Sequence, residues 1–150
     1  MLKIDGHTHT ELCPHGSHES TRAMVERAIE LGFDEYWITE HAPMPKDFVQ
    51  RFAGPADDWQ TEGLSWEQVD DYLNLAEQLQ SEYADQIKIS IGFEIEYLAG
   101  FEETTRAFLD QYGKIPSTTS YRCIIFRMIK ENFGGLTTPQ MSCRLGLPMS

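Results

Sequence analysis

The sequence predicts an α/β fold in which strands alternate with helices around a parallel sheet or barrel. Two observations support this: short apolar stretches alternate with segments whose apolar residues recur at helical spacing, and residues of metal-binding type follow the predicted strands. The 150-residue chain is 41% hydrophobic and 24% charged, which suits one globular domain. That composition excludes a fibrous or wholly disordered chain.

The chain opens with a predicted strand and a helix. Alternation over Leu2-Lys3-Ile4 predicts a short strand that leads into His7-Thr8-His9. Ser17 or Ser20 can cap the helix that follows, and Gly32 can end it. The apolar face of this helix comprises Met24, Val25, Ala28, Ile29 and Leu31.

The next strand and helix complete the first half of the pattern. Residues 33–39 read as a strand that delivers Glu40 and His41 to its end, and residues 43–64 read as a long loop rich in proline and glycine. Ser65-Trp66-Glu67-Gln68 is a capping box that starts a helix. The apolar positions of this helix recur at helical spacing at Trp66, Val69, Leu73, Ala76, Leu79 and Tyr83.

A third strand and one more helix follow. Ile87, Ile89 and Ile91 alternate as a strand that leads into Gly92-Phe93-Glu94-Ile95-Glu96-Tyr97. The last predicted helix has its apolar residues at Phe101, Thr105, Phe108 and Tyr112. We therefore expect the ends of three parallel strands to meet at one edge of the sheet.

Charge and composition exclude several kinds of partner. The net charge of −12 opposes binding to nucleic acid or to an anionic membrane. No apolar run approaches the roughly 18–20 residues of a membrane span, and the amino terminus lacks the zones of a signal peptide. The three cysteines form no disulfide framework. We expect a cytoplasmic protein, and the sequence leaves its oligomeric state open.

The charge is distributed unevenly along the chain. Residues 114–150 hold five basic residues and one acidic residue, a net charge of +4, whereas residues 1–113 carry −16. The tail shows neither helical nor strand periodicity over any long window. One interpretation is a solvated basic tail.

The residues with metal-binding chemistry converge on the predicted edge of the sheet. His7 and His9 point to the same face of an extended backbone, although a His-x-His pair alone is equally typical of surface histidines. His15 lies in a Cys-Pro-His-Gly turn, and His41 and Glu94 end two further strands. Imidazoles with a carboxylate suit zinc, iron or manganese. A multinuclear site of this kind hydrolyses phosphate esters.

Three further residues have alternative interpretations. Cys13 could be a thiolate ligand, but without a Cys-x-x-Cys partner a structural role is favoured. His18, near the start of the first helix, reads as solvated. Glu96 shares the face of Glu94 and could support the ligands, or be an ordinary solvated carboxylate.

Four ordered segments resemble the polymerase-and-histidinol-phosphatase (PHP) superfamily, and within it the histidinol-phosphatases. They are Asp5-Gly6-His7-Thr8-His9-Thr10, Cys13-Pro14-His15-Gly16, Thr39-Glu40-His41-Ala42-Pro43 and Gly92-Phe93-Glu94-Ile95-Glu96-Tyr97. The resemblance covers residues 1 to about 113. It implies a distorted, TIM-like (β/α)7 barrel, of which this chain holds an incomplete amino-terminal half followed by a non-homologous, disordered tail.

The resemblance also implies a site with up to three divalent metal ions. His7, His9 and Glu94 would hold the first ion, Glu94 would bridge to a second, and His15 with His41 would hold a third. Glu94 and His41 would thereby be the catalytic residues.

The implied reaction is the hydrolysis of L-histidinol phosphate to L-histidinol and phosphate in L-histidine biosynthesis. Lys46 and Arg51, in the long loop, could bind the substrate phosphate. Two alternatives remain: an inactive fragment with at most residual metal binding, or another PHP phosphoesterase.

The tail departs from the family pattern. Family members continue through a Ser-Val-His strand and an Asp-Tyr-Ser segment, with further histidine ligands, but residues 114–150 contain no histidine. In a reading frame shifted by two bases, the degenerate codons of residues 117–126 permit Ser-Val-His, and those of 127–142 permit Asp-Tyr-Ser. We therefore predict that residues 1–113 are the amino-terminal part of a PHP domain and that 114–150 are an aberrant tail produced by a frameshift.

Overall fold

A computed structural model of the chain describes residues 1–45, 63–114, 123–128 and 142–143, and places them around one five-stranded sheet. The strand order is β1-β2-β3-β4-β5; the first four strands are parallel and the last is antiparallel. The strands are β1 (Ile4–Thr8), β2 (Glu35–His41), β3 (Lys88–Tyr97), β4 (Cys123–Met128) and β5 (Ser142–Cys143). The helices are α1 (Thr21–Glu30), α2 (Val69–Glu82) and α3 (Glu102–Tyr112), and a 3-10 turn, Trp66–Gln68, precedes α2. The predicted α/β class with a parallel sheet is confirmed.

The core lies between the sheet and its helices. From α2, Tyr72 and Leu79 are fully buried, and Phe93 of β3 packs edge-on against Tyr72 and against Phe108 of α3. The Tyr72 hydroxyl lies 3.0 Å from the carbonyl oxygen of Ile38 and is also hydrogen-bonded to that of Gly92. The helix thereby contacts the backbones of two neighbouring strands.

The strands start and end later than the alternation predicts. β1 begins at Ile4 rather than Leu2, because the Lys3 backbone instead bonds to the turn before β2: its N–H donates to the Asp34 carboxylate at 2.7 Å. β2 extends to His41, so that Glu40 and His41 are held by the strand ladder itself.

The start of α1 differs from the prediction. Ser20 occupies the N-cap position, but its side chain makes no capping hydrogen bond. The Glu11 carboxylate takes that role, since it accepts hydrogen bonds from the Thr21 N–H at 2.6 Å and from the Thr21 hydroxyl. An acidic side chain from outside the helix therefore satisfies its first turn. At the other end Gly32 has a φ of +71°, the left-handed conformation that glycine adopts at low cost after a helix.

The capping box before α2 is confirmed. The Ser65 N–H donates to the Gln68 side-chain oxygen at 2.9 Å, and the reciprocal hydrogen bond is also present. Trp66–Gln68 form a 3-10 turn, so the regular helix begins at Val69.

The expected disorder of the tail does not extend to the residues that form β4 and β5. Cys123–Met128 pair in parallel with β3, from Gly92↔Cys123 to Tyr97↔Met128, and Ser142–Cys143 pair with β4. The backbone hydrogen bonds of a sheet edge are available to any sequence of strand propensity, which explains why this segment extends the sheet. The rest of the tail and most of the long loop, residues 46–62, lie outside the described residues. Among the helices that the structure describes, none has the length and hydropathy of a transmembrane segment.

Candidate metal centre

The predicted metal ligands gather at the carboxyl-terminal edge of the parallel sheet. His7 lies in β1 and His9 directly follows it, His41 is the last residue of β2, and Glu94 lies in β3. The strand register places His41 directly opposite Glu94. Neighbouring parallel strands therefore bring together side chains that are up to 87 residues apart in the sequence.

One carboxylate oxygen forms the middle of the cluster. Glu94 Oε2 lies 2.8 Å from His7 Nε2, 3.4 Å from His9 Nε2 and 3.5 Å from His41 Nδ1. The rings of His9 and His41 stack, with their centroids 4.3 Å apart. Three imidazoles thus face the same oxygen atom. His41 and Glu94 are buried, and His7 and His9 are partly open to solvent.

The charges of the cluster are strongly coupled. Burial opposes ionisation of Glu94, but the hydrogen bonds from His7 and His9 outweigh it and hold the pKa of this carboxyl far below its usual range. Burial likewise opposes protonation of His9, yet its hydrogen bonds to Glu40 and Glu94 raise its pKa to about 9. Burial, followed by repulsion from His9, lowers the pKa of His41 to about 4. Without a bound ion, the two carboxylates therefore favour the protonated form of His9, whereas burial favours the neutral form of His41. A metal ion that binds His9 would displace its proton.

Glu40 is a candidate functional residue that the sequence did not single out. Its side chain is fully buried, and its Oε1 lies 3.0 Å from His9 Nδ1 and 2.9 Å from the His41 N–H. Its Oε2 accepts hydrogen bonds from the N–H and the hydroxyl of Thr10, at 2.8 and 2.6 Å. Burial opposes its ionisation, but the bonds from His9 and Thr10 lower its pKa. The Nδ1 contact leaves His9 Nε2 to face Glu94, as in carboxylate–histidine–metal arrangements. The signal available in the sequence was a glutamate next to His41 at the end of a predicted strand.

The donor set fits a divalent metal ion. Three groups of side chains bring one ligand atom each within 4.8 Å of one another: His7, His9 and Glu94; His9, Cys13 and His41; and His41, Glu94 and Glu96. His41 Nδ1 is buried without a hydrogen-bond partner among the described residues. An imidazole nitrogen in that position is explained by a bound cation. Neutral imidazole and carboxylate are the donors that zinc, iron and manganese accept.

The other predicted residues are placed less centrally. The exposed His15 packs its ring 4.8 Å from that of His41, so the two lie side by side, but it is absent from the three groups above. His18 is exposed and adopts a φ of +57°, with its Nδ1 3.4 Å from the Glu11 carbonyl oxygen. Lys46 and Arg51 lie outside the described residues.

Glu96 and Cys13 both lie near the histidine cluster, although the sequence also allowed Glu96 to be a solvated carboxylate and favoured a structural role for Cys13. Glu96 is half-buried and shares a group with His41 and Glu94. Cys13 is buried and shares a group with His9 and His41, and its Sγ lies 3.7 Å from His15 Nδ1. Burial raises the pKa of its thiol.

Comparison with known proteins supports the same interpretation. The PHP domain model matches residues 5–134, which extends into the region set apart above as a tail. The chain is 38% identical over 113 residues to the histidinol-phosphatase of Bacillus subtilis, a match that covers 75% of this chain and 40% of that protein. It is 34% identical over 98 residues to the "Probable histidinol-phosphatase" of Schizosaccharomyces pombe, which covers 65% and 31% of the two chains.

A solved structure is also similar. The crystal structure of a Listeria monocytogenes protein assigned as a histidinol phosphatase, hisK, superposes with a TM-score of 0.73 at 44% identity. The superposition covers 79% of this chain and 43% of the Listeria chain. The chain thus spans about two fifths of the length of these relatives, in keeping with an incomplete barrel.

Proposed function

The chain belongs to the PHP domain family, and on this basis we propose that it derives from a metal-dependent phosphomonoesterase that hydrolyses L-histidinol phosphate to L-histidinol and phosphate in histidine biosynthesis. The observation that carries the proposal is the convergence of His7, His9 and His41 on one oxygen of Glu94. The names of the similar proteins support the substrate.

The described side chains would have two roles in such a site, which are to bind the metal ions and to orient the ligands. His7, His9 and Glu94 would hold one divalent ion, and His41 with His15 would hold another beside it. Glu40 orients His9 through Nδ1 and so presents Nε2 to the centre. Divalent ions, when bound, would polarise the phosphate and activate water for attack. Zinc, iron or manganese would serve, in up to three positions.

The substrate would approach from the solvent side of the cluster. His7 and His9 are partly open to solvent, whereas His41 and Glu94 are buried. Lys46 and Arg51 would add positive charge for the phosphate. The net charge of −12 disfavours nucleic acid as substrate and leaves a small phosphomonoester as the partner. The predicted cytoplasmic location remains part of this proposal.

A phosphate-release assay tests the proposal. We expect the chain, with manganese or zinc, to release phosphate from L-histidinol phosphate in preference to p-nitrophenyl phosphate and single-stranded DNA, and the Glu94→Gln variant to release none. Equal or higher activity on the other substrates would instead support another PHP phosphoesterase.

A second candidate is a metal-binding chain with little turnover. It is favoured by the described groups, each of which supplies only three protein ligands and shares members with another group. Loosely held ions clamp a phosphate poorly. We expect turnover by the 150-residue chain to fall well below the usual enzyme range of about 1–1,000 per second. Turnover within that range would reject this candidate.

We further propose that residues 114–150 arise from a shifted reading frame. The switch from −16 to +4 in net charge and the two family segments permitted by the shifted codons support this. Sequencing the DNA across the codons of residues 105–130 decides the matter. An added or lost base that restores Ser-Val-His supports the frameshift, and a stop codon in the alternative frame refutes it.

A further inference from the structure

Cys13 lies in a turn that holds its side chain close to the histidine cluster. The thiol-bearing residue is 1% exposed. Its N–H donates to the Thr10 carbonyl oxygen at 3.1 Å, and its own carbonyl accepts from the Gly16 N–H at 3.2 Å. These two backbone bonds fix the direction of the side chain relative to the end of β1.

Gly16 allows the turn to close tightly over the sulfur. A Cβ at this position would lie 3.1 Å from Cys13 Cβ and 3.5 Å from Cys13 Sγ. Any side chain here would therefore press on the cysteine. The sulfur is held in place by its backbone and by the close approach of Gly16, as a preorganised ligand requires.

The sulfur faces donors that suit a metal ion. Ligand atoms of His9, Cys13 and His41 all lie within 4.8 Å of one another. His41 is buried, and its Nδ1, which lies 3.5 Å from Glu94 Oε2, lacks a hydrogen-bond partner among the described residues. A nitrogen of this group can therefore still take a ligand. Two imidazoles and one thiolate form a donor set that zinc accepts in proteins.

We propose that Cys13 is a thiolate ligand which, with His9 and His41, forms a site for a thiophilic divalent ion such as zinc or cadmium. Binding replaces the S–H bond by a sulfur–metal bond and releases the proton to solvent. The proposal deepens the proposed function and relies on it for the placement of the centre.

Shared ligands make this site selective between metals. His9 and His41 also belong to the groups that contain Glu94, so an ion beside Cys13 competes with an ion beside Glu94 for their nitrogens. Sulfur favours zinc and cadmium, whereas carboxylate favours manganese. Cys13 would therefore determine which ions the centre retains.

A cadmium titration of the full chain tests the proposal. The background is the variant with Cys123→Ser and Cys143→Ser, in which Cys13 is the single remaining cysteine. We expect cadmium to produce a near-ultraviolet sulfur-to-metal charge-transfer band that saturates at one equivalent, and the further substitution Cys13→Ser to abolish it. A background chain without the band, or a band that persists after Cys13→Ser, would overturn the proposal.

X-ray absorption of the zinc-loaded background chain provides a measurement that does not depend on the folding of a Cys13 variant. We expect a sulfur scatterer at about 2.3 Å from zinc. A shell of nitrogen and oxygen alone would refute the proposal. Sulfur coordination without any detectable phosphate release would leave this site standing and favour the metal-binding candidate over the phosphomonoesterase. Phosphate release without sulfur coordination would support the phosphomonoesterase and refute this site.

Discussion

The two ends of β2 each carry a glutamate, and the two are held in different ways. At the amino end, Glu35 accepts hydrogen bonds from Trp37 Nε1 at 2.8 Å and from the Ser90 hydroxyl at 2.7 Å, and it pairs with Lys88 Nζ at 3.0 Å. The lysine is mostly exposed. At this end of the sheet, the charge of the Glu35 carboxylate is balanced by a lysine that faces solvent and keeps its own positive charge.

At the carboxyl end, Glu40 is fully buried, and within the described part of the chain its charge is balanced by His9 rather than by a lysine or arginine. Burial opposes the ionisation of both glutamates, and hydrogen bonds lower both pKa values. The difference lies in the partners: lysine brings its own positive charge, whereas imidazole brings a lone pair that can bind a metal. The Glu35 end already has its cation in Lys88, whereas the Glu40 end carries the donor groups of the proposed metal centre.

The largest expected effect tests whether the carboxyl end binds metal through Glu94. Glu94→Gln removes the oxygen on which three histidines converge. Because Glu94 would be a direct ligand of the proposed centre, we expect its loss to weaken zinc affinity by at least the roughly hundredfold typical of supporting residues. Isothermal titration calorimetry measures this. The matched control is Glu35→Gln, the same substitution at the opposite end of the sheet. Affinities within threefold of each other for the two variants would contradict the assignment.

Metal addition should stabilise the fold through the same end. At a free zinc concentration about 100 times Kd, we expect the free energy of unfolding to rise by about 2.7 kcal/mol, because the ion binds the folded chain and bridges three strands. Urea denaturation with zinc and with EDTA measures the change. Glu35→Gln should retain this stabilisation. If zinc stabilised the Glu94→Gln variant by the same amount, the metal would bind elsewhere.

Glu40 provides a finer comparison with Glu35. Glu40→Gln removes the charge that orients His9 and supports its basicity, so we expect zinc affinity to fall by about tenfold to a hundredfold. Glu35→Gln should leave zinc affinity unchanged, although it loses its own contact with Lys88. Competition with a zinc-binding dye reports both. Equal effects of the two substitutions would mean that Glu40 acts only in folding.

The smallest effect belongs to the middle of the sheet. Tyr72→Phe removes the hydroxyl that contacts the backbones of β2 and β3, and we expect a loss of about 1 kcal/mol in unfolding free energy. Zinc affinity should stay within twofold of the unsubstituted chain, because the hydroxyl that is removed bonds to the backbone carbonyls of Ile38 and Gly92. A larger change in affinity would show that the core and the metal centre are coupled.

The histidines of the site could be predicted from the sequence because they lie at or just after the ends of predicted strands. His7, His9, His41 and Glu94 could be predicted to meet, since parallel strands end at one edge. Glu40 could not be assigned in the same way, because alternation along an extended strand places it on the face opposite His41. Its role depends on β1, whose Thr10 and His9 bond to it. Such contacts between strands are set by tertiary packing.

The fold shows the same division between local and distant contacts. The capping box at Ser65 and the glycine after α1 were predictable, because both depend on neighbours in the chain. The cap of α1 was not, because Glu11 lies ten residues from Thr21. β4 was missed because its apolar residues show no alternation. Its strand conformation depends instead on backbone pairing with the edge of β3.

The pairing of His41 with Glu94 also bears on folding fidelity. Successive side chains of a strand point to opposite faces, so a slip of β3 by one residue would set Phe93 or Ile95 opposite His41 and turn the Glu94 carboxylate away. Only the native alignment presents the complete ligand group. An ion that binds during folding would therefore stabilise the native register over registers shifted by one residue. The supply of metal would then help to determine how the strands pair.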